Sequence, residues 1–65
     1  MSPKEFRTAL AALGISQQRL GRILETDKNT PNRWATGAIP VPVAVEKLLR
    51  LALAGRFTAD ELEQA

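Results

Sequence analysis

Asn29, Asn32 and Arg33 stand close together, with Lys28 just before them and the chain's only tryptophan, Trp34, directly after. An amide can bond adenine at two points, and a guanidinium can do the same to guanine. A core helix has no use for an amide and a guanidinium beside its tryptophan. A helix that presents one face to something outside the protein does. Groups for covalent chemistry are scarce by comparison. The chain has no His and no Cys, which removes the commonest general base and the thiol nucleophile. The carboxylates have structural explanations. Glu5 and Glu61 complete capping boxes, and Asp60 suits a helix N-terminus. Gly14, Gly21, Gly37 and Gly55 are placed as helix punctuation or contact points and form no phosphate loop. The chain is therefore expected not to be an enzyme. No cofactor and no small-molecule ligand are expected. No metal is expected either, since carboxylates alone match zinc poorly.

The elements that must position these residues are short. At 65 residues the chain reads as one domain over residues 1–65. A domain near this size buries only about 60% of its unfolded surface, so its stability is marginal. A disulfide is excluded without Cys, which leaves tight helix packing or self-association. The absence of Cys fits a reducing compartment. No apolar run approaches the roughly 20 residues of a membrane span, and the N-terminus "MSPKEFRTAL" lacks the apolar stretch of a signal peptide. A cytoplasmic location and no membrane partner are expected.

Five helices follow from caps and apolar spacing. Ser2, Pro3 and Glu5 form an S-x-x-E start, and Phe6, Ala9, Leu10 and Leu13 share one helical face that Gly14 ends. Ser16 caps a second helix with Leu20, Ile23 and Leu24 inward. Gly21 inside it costs roughly 1 kcal/mol against Ala, which points to a close neighbour, most simply the next helix. For the third helix, Thr30 is the preferred cap over Asp27, with Pro31 at the first position and the end at Thr36, because residues before proline avoid the α region. Lys28 and Asn29 fall in the preceding turn, and Gly37 closes the helix. After the stiff connector "AIPVP", Pro42 opens a fourth helix with Val41, Val45, Leu48, Leu49 and Ala52 on one face and Gly55 at its end. Thr58 with Glu61, and Phe57 with Leu62, mark the start of a short fifth helix. No strand pattern appears.

Residues 16–37 thus read as helix, tight turn, helix. The second helix of such a pair enters a major groove of double-stranded DNA. The charge distribution agrees mildly. The net charge is +2, and the basic excess lies in residues 1–37 (Lys4, Arg7, Arg19, Arg22, Lys28 and Arg33 against Glu5, Glu25 and Asp27). Gln17 and Gln18 add amide donors where the N-terminus of the second helix could meet a phosphate.

"LGISQQRLGRIL" and "TPNRWATG", followed by "PVPVAVEKLLRLA", resemble the helix-turn-helix family of lambdoid phage repressors and Cro proteins. The family pattern is a "LGLSQ-x-x-LA" start and a "T-V-S-R-W-x-x-G" third helix. Leu13, Gly14, Ser16, Gln17, Leu20, Thr30, Arg33, Trp34 and Gly37 match it, and the resemblance covers about residues 5–55. It implies an all-α, compact five-helix domain of the phage-repressor type, a small transcriptional regulator whose recognition helix is about residues 30–36. It also implies a phosphate contact for Gln17 and base contacts for Lys28, Asn29, Asn32 and Arg33, with Trp34 in the core. The chain departs from the pattern at Pro31, where the family has Val or Ile, and at Gly21, where it has Ala. Pro31 bears on where the recognition helix starts. The connector after that helix lacks the basic residues of some relatives. Backbone grip then falls to Arg19, Arg22 and helix N-termini, with Thr36 a further candidate.

A palindromic operator and a homodimer are expected, because one such unit reads only a short half-site. Leu51, Arg56, Phe57 and Leu62 are the candidate dimer contacts. The alternative at that end is a fifth helix that folds back and covers Leu51 within one chain. The alternative for the whole chain is a protein-interaction module that keeps the helix-turn-helix fold without binding DNA. The thin net charge and neutral connector favour it.

Overall fold

Caps and apolar spacing place the helices largely where they are found. A computed structural model describes residues 1–64. It contains α1 (Pro3–Leu13), α2 (Gln17–Ile23), α3 (Thr30–Thr36), α4 (Val43–Leu53) and α5 (Ala59–Gln64), with no strand among the described residues. The protein is all-α. Ser2 Oγ accepts the Glu5 N–H at 3.1 Å, and the Glu5 carboxylate accepts the Ser2 N–H at 2.8 Å. This reciprocal cap satisfies two donors that α1 leaves open. Thr58 and Glu61 repeat it before α5, at 3.2 and 3.0 Å. Ser16 Oγ caps α2 through the Arg19 N–H at 3.0 Å.

The start of α3 differs by one residue from the sequence expectation. Thr30 is not the cap but the first helical residue, and Asn29 holds the cap position without a side-chain bond. The missing capping group is supplied from further back. The Asp27 carboxylate accepts the N–H of Asn29 at 2.9 Å, the N–H of Thr30 at 2.8 Å and the Thr30 hydroxyl at 2.9 Å. Those bonds hold Thr30 helical against the steric preference of a residue before proline. Pro31 then falls in the first turn, where its absent N–H leaves no intrahelical bond unmade. With Pro31 in its first turn, α3 runs from Thr30 to Thr36.

Helix ends explain the sharp turns. After α1 the N–H of Ile15 reaches the Leu10 carbonyl and that of Gly14 the Ala11 carbonyl. After α4, Arg56 and Gly55 repeat the pattern on Leu51 and Ala52. After α2, Thr26 and Glu25 do so on Gly21 and Arg22. All three are the paired-bond ending that needs a left-handed residue. Glycine fills that place twice, with φ of 68° at Gly14 and 78° at Gly55, but Glu25 fills it at φ 56°.

Phe6, Leu10, Ile15, Leu20, Trp34 and Leu49 form the centre of the core. Among the described residues no polar or charged side chain is buried. α1 packs against α3 and α4, and α2 packs against α3 and α5. Trp34 meets Phe6 edge to face, with ring centroids 5.9 Å apart, a favourable aromatic geometry. Val41 packs on the core from the connector, because α4 begins at Val43 with Pro42 at its cap. The close neighbour at Gly21 is the turn as well as the next helix. A Cβ there would lie 3.5 Å from the Asp27 carbonyl, Pro31 Cγ and Thr26 Oγ1, which is ordinary contact.

α5 does not fold over Leu51. It lies along α2, buries none of its own residues, and leaves Leu51 48% exposed. A cleft of about 330 Å³, lined in part by Ile23, Leu24, Leu48 and Leu62, separates it from α2 and α4. Among the described residues no helix is long and apolar enough to cross a membrane.

Candidate nucleic-acid interface

α3 divides cleanly into two faces. Pro31, Trp34 and Ala35 are buried. Asn32, Arg33 and Thr36 are exposed, and Asn29 is exposed at the cap with helical backbone angles of φ −87° and ψ −22°. Asn29, Asn32, Arg33 and Thr36 therefore recur at i, i+3, i+4 and i+7 on one outward stripe. Among the described residues the side chains of Asn29, Asn32 and Arg33 make no hydrogen bond or salt bridge within the chain. Their full donor and acceptor capacity faces outward. Thr36 is different, since its hydroxyl donates to the Arg33 carbonyl at 3.3 Å. Lys28 is exposed in the turn that leads into this stripe.

The stripe is anchored at its start by Asp27. The Thr30 hydroxyl, then the Thr30 N–H, hold the Asp27 carboxyl below the usual carboxylate range, and the Arg33 charge adds to the effect. A fixed negative charge at the N-terminus of α3 also suits the helix dipole.

α2 contributes its first turn. Gln18 is exposed and Gln17 half-buried beside the Ser16 cap. Arg19 and Arg22 point elsewhere. Arg19 bonds Asp60 and lies 3.2 Å from Glu63, and Arg22 lies 3.6 Å from Glu63. On the helical wheel they fall away from Gly21, which touches the α3 side. The structure thus brings Asn29, Asn32, Arg33 and Thr36 together and sets Arg19 and Arg22 on the α5 flank. The Asp60 hydrogen bond raises the Arg19 proton affinity further.

Comparison with protein-family models, with curated proteins and with solved structures finds no match for this chain. What the stripe can do is set by its own residues.

Arg7 is the residue that sequence reasoning passed over. It lies on α1, yet its guanidinium donates to the Ala35 carbonyl in the last turn of α3. Pro3, on the same flank of α1, lies against Gly37, so that a Cβ there would be 3.1 Å from Pro3 Cγ. Spacing within α1 marks Arg7 only as non-core. Its place beside α3 depends on how two distant segments pack.

Proposed function

We propose that this chain binds double-stranded DNA sequence-specifically, as a small transcriptional regulator of the phage or mobile-element type, with α3 in the major groove. One observation carries the reading. Two amides and a guanidinium stand outward on a single stripe of α3, unpaired within the chain among the described residues, while the opposite face is locked into the core. Asn32 and Arg33 read base edges, with Asn29 and Lys28 at the groove margin. Gln17 and Gln18 hold the backbone. The resemblance to lambdoid repressors and Cro proteins supports the same roles, as does Trp34 in the core. The expected assembly is a homodimer on a palindromic operator, in the cytoplasm.

Random-sequence duplex titrated at low salt and again near 200 mM salt tests this. A groove binder binds weakly at low salt and loses affinity steeply as salt rises. Absence of binding at any salt overturns the proposal. One observation favours the second reading, a protein-interaction module. Arg19 and Arg22 are already matched by α5 carboxylates, so either must exchange a carboxylate for a phosphate to grip DNA.

A further inference from the structure

We propose that Arg7 is a phosphate-binding residue that extends the interface from α3 onto α1, an inference that rests on the DNA-binding reading. The guanidinium has five N–H donors in a rigid fork. One nitrogen donates to the Ala35 carbonyl, and no other hydrogen bond or salt bridge engages it among the described residues. The side chain belongs to an exposed residue. The bond to Ala35 does two things. It satisfies a carbonyl in the last turn of α3, where no intrahelical donor follows. It also ties a flexible cation to the C-terminal turn of α3 at Ala35, and the next residue in the chain, Thr36, ends the outward stripe. A groove read by Asn32 and Arg33 is bordered by phosphates, and Arg7 is tied to the C-terminal turn of the helix that would enter it. Lys4, exposed one turn earlier on α1, adds a second positive charge there. Pre-positioning matters because an arginine held by one bond loses less freedom when its remaining donors take a phosphate. This cation compensates for the α2 arginines that α5 occupies and for the uncharged connector after α3.

The test uses the full chain, random-sequence duplex DNA and a series of salt concentrations. Arg7→Ala is expected to weaken binding and to lower the slope of log affinity against log salt by about one. Arg7→Lys is expected to restore the slope, since it keeps the charge. Lys47→Ala, an exposed cation on α4, removes the same charge from a helix outside the proposed interface and is expected to leave the slope unchanged. Helix content and melting temperature are followed for each variant. If Arg7→Ala lowers the melting temperature and affinity but keeps the wild-type slope, Arg7 only braces α3 and the proposal is overturned. An equal drop in slope for Lys47→Ala overturns it too, by making the effect one of net charge. A wild-type chain that binds no duplex at low salt brings down the DNA reading itself, and this inference with it.

Discussion

Arg33 and Gln17 both bear polar groups near one surface, yet they are asked to do different work. Arg33 has no partner within the chain among the described residues and stands mid-stripe on α3. If it pairs with a guanine, Arg33→Ala costs about 1–3 kcal/mol of binding and relaxes preference at one base position. Gln17 opens α2 beside Ser16, and a backbone contact positions without reading. Gln17→Ala is therefore expected to weaken specific and random DNA by the same factor. Binding to a panel of single-base variants separates the two. A uniform loss for Arg33→Ala, or a changed base preference for Gln17→Ala, reverses the assignment. Asp27 acts on folding instead. Its folded-state pKa is depressed by Thr30, so its contribution is present above the unfolded value of about 3.9. That contribution is lost as pH falls through the folded value. Asp27→Ala should melt lower than the wild type near neutrality, and the gap should close as acid is added. A gap that stays constant to about pH 2 would mean the carboxylate charge is not the anchor.

Each helix is held by different means, and this decides what a sequence can disclose. α1, α2 and α5 carry side-chain caps within three residues of their start, so their positions are legible from local spacing. α3 uses the same three-residue spacing, from Asp27 to the Thr30 N–H, but there the bond closes a turn ahead of the helix and Thr30 must accept helical angles before Pro31, which spacing does not reveal. The candidate interface divides similarly. The stripe on α3 follows from period alone, whereas the partners of Arg7, Arg19 and Arg22 are set by which helices lie side by side. Helix ends give a direct test of element-level strain. Glu25 occupies a left-handed position that Gly14 and Gly55 fill elsewhere. A side chain there costs roughly 1–2 kcal/mol, part of which glycine returns through its greater unfolded freedom. Glu25→Gly is expected to stabilise by about 0.5–1 kcal/mol, raising the melting temperature by roughly 2–8 °C. Gly55→Ala should shift it the other way. A lower melting temperature for Glu25→Gly would show that the Glu25 side chain contributes a contact outweighing the backbone cost.

The whole molecule measures 28 × 22 × 19 Å, which bears on how it could occupy an operator. Half-sites on one face of a duplex repeat about every 34 Å, so one copy cannot span two. A single module also buries only on the order of 600–1,000 Å² on DNA. Two copies about a two-fold axis meet both limits, and the interface must then be the same patch on each. The end of α4 has the free apolar surface for it. Leu51 is 48% exposed, Arg56 is exposed and Phe57, next in the chain, is half-buried, while Leu62 is half-buried in the cleft with Ile23, Leu24 and Leu48. The fifth helix, drawn toward α2 by Asp60 and Glu63, leaves that patch uncovered. Leu51→Lys places a charge at the proposed axis without opening a cavity, because the side chain already meets solvent. The variant is expected to fold normally and to keep the wild-type affinity for a duplex with one half-site. On a palindromic duplex it is expected to bind more weakly and to lose the two-copies-per-site stoichiometry. Sedimentation at rising concentration, with and without each duplex, reads both quantities. A wild-type chain that stays monomeric alone and saturates the palindrome with one copy sinks the dimer. It leaves a single-half-site binder in which the exposed Leu51 has another use.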